Sequence, residues 1–295
     1  MIDYAIVTIA TVMFGVQFLF NNLYERKSGN GIGATLIFTF IGGIIGIVSL
    51  IIVNGFTFTI TPFTIIMAAI NAISSIAYTF CSLKAFEKIN LSLYSLFAML
   101  GGMLLPFFQG VIFYNEQITL AKSVCVVAVI AALIMCTTKG NRKGGAIYYI
   151  GVFFLNGLGG VLSKFFLTAP FERTSEAMYS IWSAVIKTII SAAAIIILII
   201  VSRTSRKPSL SVKMPGAGAL VFSSGYGILN SVANYLLLIS LASLPASAQY
   251  PFITGGVIIA STVISAIMGS KPSKKEIISV ILSFIGLLAL VFIPI

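Results

Sequence analysis

Ten apolar stretches, each long enough to cross a bilayer, follow one another from Tyr4 to Ile295. A short basic linker, Lys139 to Gly145, divides them five and five. A helical span needs roughly 20 apolar residues, and inside a bilayer only helices and closed barrels satisfy every backbone polar group. The expected fold is therefore an all-α polytopic membrane protein with ten transmembrane helices. Because five is odd, the second group enters the membrane from the side opposite the first. The expected organisation is two inverted five-helix repeats, residues 1–140 and 141–295.

The composition leaves room for little else. The chain is 59% hydrophobic and 8% charged, with mean hydropathy +1.10, whereas soluble domains carry about 25% charged residues. Ten spans use about 200 of the 295 residues, so the remainder makes short loops and no soluble domain. Asp3 stands where a signal peptide would be basic, and the first apolar run is long enough to span, so it reads as an uncleaved helix. The predicted spans are about 4–23, 32–53, 63–85, 91–113, 119–138, 146–167, 177–201, 216–239, 247–268 and 276–294. Turn-forming pairs such as Asn54-Gly55, Thr61-Pro62, Ala169-Pro170 and Lys271-Pro272 mark the breaks.

Several function classes lose support at once. Histidine is absent and Asp3 is the sole aspartate, which removes the commonest metal ligand and general base and leaves no aspartate pair, so no enzyme, cofactor or metal is expected. Cys81, Cys125 and Cys136 stand alone within apolar spans and read as small buried hydrophobes. The net charge of +11 does not point to nucleic acid. The basic residues flank spans, where they match anionic lipid headgroups.

The halves repeat one another at matching places. Gly15-x6-Asn22 parallels Gly157-x6-Lys164, and Tyr78-x6-Ala85 parallels Tyr235-x6-Ala242. Gly101-Gly102 and Gly255-Gly256 lie at equivalent depths, followed by Asn115-Glu116-Gln117-Ile118-Thr119 and Gly269-Ser270-Lys271-Pro272-Ser273. These two turns resemble the Gly-Glu-x-(apolar or Pro)-Ser/Thr turn of the drug/metabolite transporter superfamily, EamA-like ten-helix kind. Leu244-Pro245-Ala246-Ser247-Ala248 resembles that family's Leu-Pro-Ala-Ser start of the ninth helix. The resemblance covers nearly the whole chain, and Ser270 departs from it by standing where the second half often has Glu. It implies alternating access, a cavity lined by helices 1, 3, 4, 6, 8 and 9, export as the direction, and both termini in the cytoplasm.

Charge distribution implies the opposite orientation. Fourteen of the 18 basic residues fall in odd-numbered loops: Arg26, Lys27, Lys84, Lys88, Lys139, Arg142, Lys143, Arg203, Arg206, Lys207, Lys213, Lys271, Lys274 and Lys275. Even-numbered loops carry only Lys122 and Arg173. The positive-inside rule then places the termini outside, and the two expectations stand side by side.

Lys187 is the sharpest candidate for a substrate contact. It lies about eleven residues into the seventh span, where a charge costs at least about 2.5–3.5 kcal/mol on insertion scales and usually faces a cavity or a partner; Trp182 precedes it on the same span. It would attract a carboxylate or phosphate; snorkelling is the structural alternative. Lys164, one turn from the end of the sixth span, fits snorkelling or substrate contact equally. Asn71, Ser74, Ser75, Tyr78 and Ser82 share one face of the third helix, and Ser223, Tyr226, Asn230 and Asn234 one face of the eighth. Gln17, Asn21 and Asn156 form a smaller set. Each stripe suits a wet cavity or interhelical hydrogen bonds. Glu116 reads as structural, capping the fifth helix or pairing with Lys122, ahead of a proton-coupling role. Gly42-x3-Gly46 and the Gly157, Gly159, Gly160 group are expected to let helices approach closely.

The expectation is a secondary transporter of the cytoplasmic membrane, bacterial in type, exporting a small polar metabolite such as an amino acid or other organic acid. H+ or Na+ remains open as coupling ion, and monomer or homodimer as assembly. The alternatives are a lipid or glycolipid flippase of the same fold, or an exporter of cationic or neutral drugs.

Overall fold

The computed structural model describes residues 2–29, 31–88, 91–136, 146–205, 214–267, 269 and 271–293, without the side chains of 18, 22, 79–80, 82–88, 91–96, 136, 146, 149, 203–205 and 265. The basic linker 139–145, Ser270, and the side chains of Asn22, Ser82, Glu87, Cys136 and Arg203 lie outside the described residues, as do Arg206, Lys207 and Lys213.

Ten helices occur among the described residues, in the order of the ten apolar stretches. They are α1 Ile2–Ser28, α2 Ile32–Val53, α3 Pro62–Lys88, α4 Leu91–Phe113, α5 Leu120–Cys136, α6 Ala146–Thr168, α7 Glu176–Ser205, α8 Ala217–Ser243, α9 Ala246–Ile267 and α10 Lys274–Phe292. Seven of them are long and apolar enough to cross a membrane. The apolar segments of α3, α4 and α5 are shorter, Pro62–Tyr78, Phe97–Phe113 and Leu120–Met135. Large apolar side chains such as Ile9, Ile52, Ile134, Ile196 and Phe284 are exposed on them, which a hydrocarbon solvent stabilises and water does not.

Local chemistry sets where the helices begin. Thr61 caps α3, its hydroxyl accepting from the Thr64 amide at 3.3 Å, with Pro62 as the first helical residue. The Ser175 hydroxyl accepts from the Met178 amide at 3.3 Å and caps α7. The Thr119 hydroxyl accepts from the Lys122 amide at 3.4 Å and caps α5. Ser273 begins α10 with a capping box, in which Glu276 reaches back to the Ser273 amide at 2.6 Å. Thr119 and Ser273 are the final residues of the two turns matched in the sequence.

The chain forms two compact units, each drawing on both halves of the sequence. One comprises Met1–Gly15, Ser74–Pro170 and Leu236–Ile295, the other Val16–Ile73 and Phe171–Tyr235. In the first, α1, α4, α5, α9 and α10 contribute to a core that includes Val7, Met103, Cys125, Val129, Phe252 and Leu290. Cys125 is a free, buried thiol, as its apolar setting predicts. Glycines bring helices together here. A Cβ on Gly101 would strike the Phe153 carbonyl of α6, and one on Gly157 would strike Leu105 and the Gly101 carbonyl of α4. Between α1 and α9, Gly15 lies against Ala260 and Gly256 against Thr11. Gly160 lies against Pro106 and Tyr250, whereas a Cβ on Gly159 would meet nothing within 4 Å.

In the second unit, Gly42 of α2 meets Gly227 of α8 and Gly46 meets Ser231, so the small-residue pair allows the close approach expected of it. Leu50, Met178 and Ile181 form one buried cluster, Tyr24, Phe38 and Ala219 another. The Thr64 hydroxyl accepts from the Thr174 amide at 3.0 Å and joins the start of α3 to the segment leading into α7.

Candidate functional site

Helix α9 begins after Pro245, which has no side chain able to accept from the helix's first amides. Glu116, in the turn after α4, supplies the missing acceptors. Its Oε1 accepts from the Ala246 amide at 2.9 Å, and its Oε2 accepts from the Ser247 amide at 2.8 Å and the Ser247 hydroxyl at 2.6 Å. The turn is shaped to deliver it. Asn115 takes a positive φ of 52°, the Glu116 amide donates to the Gly110 carbonyl at 3.0 Å, and the carboxylate lies where any side chain at Gly110 would collide with it. The Asn115–Thr119 turn and the Leu244–Ala248 segment are thus one physical joint.

The expected partners of Glu116 are corrected by this geometry. It caps α9, because Thr119 already caps α5. Its ion pair is with Lys164 of α6, Nζ to Oε1 3.5 Å, with side chains 12% and 10% exposed. Lys122 is not a solvated loop charge either. It is 2% exposed in the first turn of α5, its ammonium donating to the Gln117 carbonyl at 2.8 Å. No periodicity or motif distinguishes it from a loop lysine. Burial pushes the Glu116 carboxyl up, but the hydrogen bonds from Ser247 and Ala246 and the Lys164 ammonium outweigh it and hold the group below the usual carboxylate range. Such a carboxylate is occupied and ionised, a poor proton carrier.

Beside this joint a cleft of about 290 Å³ opens, lined by Tyr114, Glu116, Lys164 and Thr168 and by Ala242 to Pro245 at the α8–α9 junction. The Lys164 ammonium sits 5.7 Å from the centre of the Tyr114 ring, and the Tyr114 and Thr168 hydroxyls are 2.8 Å apart.

The other sequence candidates divide between the units. In the second unit, Lys187 is the twelfth residue of α7, half-buried, with no ion pair or side-chain hydrogen bond among the described residues. One turn before it, the Ser183 hydroxyl is buried without a partner, as is Oε1 of Gln17 on α1. Asn21 and Asn71 are half-buried. Asn234 is exposed and donates to the carbonyl and Oδ1 of Asn230, at 2.7 and 3.2 Å. Two candidates are occupied in packing. Trp182 donates to the Thr59 carbonyl at 3.2 Å and packs on the Leu50 cluster, and Tyr226 lies 4.4 Å, centre to centre, from the Phe38 ring. In the first unit Asn156 donates to the Ala98 carbonyl at 2.7 Å, clamping α6 to α4. Ser74 is buried, and Tyr78 packs against Ala98 and Val152. Among the described residues, the structure brings together Asn230 with Asn234, and Lys164 with Glu116.

No family model matches the chain, and no curated protein matches it. A solved structure described only as "Crystal structure of protein" is similar over 99% of this chain and 99% of its own, with a TM-score of 0.74 and 16% identity. At that identity the likeness is one of fold.

Proposed function

We propose that this chain is a secondary transporter of the drug/metabolite transporter kind, moving a small polar metabolite with a negative group, an amino acid or other organic acid, across a cytoplasmic membrane by alternating access. The observation that carries this is Lys187. It stands about 16 Å along α7 from the helix start, deep enough for ionisation to be costly, and no anionic side chain answers it among the described residues. A lysine so placed is stabilised by an anionic ligand and indifferent to a neutral one. Buried, unpartnered Gln17 Oε1 and Ser183 Oγ in the same unit offer further polar contacts, with Asn21, Asn71, Asn230 and Asn234 as secondary candidates.

The scaffold in this proposal is a pair of inverted five-helix repeats. Support comes from positions equivalent in the two halves behaving alike: Thr119 and Ser273 both cap the helix that follows, and the Gly101–Gly157 contact of α4 with α6 has its counterpart where Gly15 and Gly256 bring α1 against α9. Transport assays on purified protein in liposomes test the function, with amino acids, organic acids, sugars and quaternary amines offered under H+ or Na+ gradients. Saturable flux of an anionic metabolite that Lys187→Met abolishes is expected. Flux of quaternary amines alone, or lipid scrambling without metabolite flux, overturns the proposal in favour of a drug exporter or a flippase.

A further inference from the structure

The Lys164 ammonium has more hydrogen-bonding capacity than the protein uses. It carries three N–H donors, yet among the described residues Nζ makes one ion pair at 3.5 Å and one ring contact. That separation is long beside the ~2.7–2.9 Å of a charge-assisted hydrogen bond. The reason lies on the other side of the pair: Glu116 has its oxygens directed at the Ala246 and Ser247 donors of α9. A carboxylate committed to a helix start leaves its lysine partly unsatisfied.

The local charge is positive. Two ammonium groups, those of Lys164 and Lys122, act on the single Glu116 carboxylate, and the start of α9 adds the partial positive charge of a helix N-terminus. Lys122 is turned to the Gln117 carbonyl and buried, so it contributes field without contact. Lys164 lines the cleft, and the Tyr114 and Thr168 hydroxyls line it too. A volume of about 290 Å³ lies at the small end of ligand sites and suits one head group.

We propose that this cleft is an oxyanion-binding site, with the Lys164 ammonium anchoring a phosphate or carboxylate and the Tyr114 and Thr168 hydroxyls beside it. The same chemistry fits a lipid phosphate or a soluble anion. The proposal does not rest on Lys187 or on flux, because it is read by binding.

The test uses the full chain, purified in a phosphate-free maltoside detergent and depleted of lipid. Thermal unfolding is followed against inorganic phosphate, acetate and short-chain phosphatidylglycerol, each at ionic strength matched with chloride. A concentration-dependent rise in the midpoint is expected, at least about tenfold weaker in apparent affinity for Lys164→Met and retained in Lys164→Arg. Stabilisation by phosphate or acetate alone supports the site and assigns a soluble anion; stabilisation by phosphatidylglycerol alone supports it and assigns lipid. Since Lys164→Met also removes the ion pair with Glu116, the unmodified chain is also treated with an amine acylating reagent. Ligand should slow modification of Lys164 several-fold while Lys271 and Lys274 react unchanged. No stabilisation by any anion, or equal stabilisation of Lys164→Met, or no protection of Lys164, overturns the proposal.

Discussion

Ser247 gives Glu116 both its amide and its hydroxyl, and both reach the same oxygen, Oε2, at 2.8 and 2.6 Å. With the Ala246 amide on Oε1, a residue 130 positions away in the chain closes the start of α9. A glutamine in place of Glu116 keeps one accepting oxygen but turns an NH2 donor toward the other donors, leaving at least one N–H without a partner in a partly buried joint. Glu116→Gln should therefore lower stability by about 1–3 kcal/mol, and Ser247→Ala, which keeps the amide bond, by about 1 kcal/mol. Thermal unfolding in detergent reads both, and a Glu116→Gln protein that melts with the parent shows the cap to be dispensable.

The same carboxylate sets a pH dependence. Its folded pKa lies below the unfolded value, so its contribution is fully present above the ordinary carboxylate range and is lost as pH falls through the folded value. Melting temperature should decline below about pH 4, and less steeply in Glu116→Gln than in the parent. Parallel slopes would assign the acid sensitivity to other groups.

Close helix approach at Gly101 leaves no room for a methyl group, because the nearest obstacle is the Phe153 backbone of α6. Gly101→Ala should cost about 1–3 kcal/mol through forced separation of α4 and α6. Gly159→Ala, in open space on the same α6, should be neutral or slightly stabilising, since alanine favours helix more than glycine does. Size-exclusion melting profiles of the two variants, compared side by side, decide it.

Asn156 and Lys187 separate a packing role from the proposed transport role. Asn156→Ala removes one interhelical hydrogen bond to Ala98, typically worth about 0.6 kcal/mol in a membrane, and should shift melting slightly with little change in substrate affinity. Lys187→Met should do the reverse: unchanged or higher stability, from removal of an embedded charge, and loss of anion flux. Swapped phenotypes would overturn the proposed role of Lys187 and point to α6 instead.

How legible these features are depends on their range. Thr61-Pro62, Thr119 and Ser273 announce helix starts because a cap acts across three residues. The Gly42-x3-Gly46 pair announces close packing because it lies on one helical face. Glu116 reads as structural from its place at a span boundary, but its partner cannot be chosen locally. Lys122 and Thr119 are nearer in sequence than Lys164 and Ser247, yet it is the latter pair that bonds. Lys122 itself has the sequence context of a loop charge and is buried.

The sequence by itself determined the solvent, the helices and their order, since apolar length and turn chemistry act within a span and a bilayer allows little but helices. It also marked Lys187 and the Gly-rich faces. Tertiary structure alone decided which half-met polar groups meet: Asn156 is engaged by the Ala98 carbonyl, Trp182 by Thr59, Glu116 by the start of α9, while Lys187 is left without a charged partner among the described residues. Hydrogen bonds and ion pairs reach only about 3–4 Å, so the assignment waits on how helices far apart in the chain pack together.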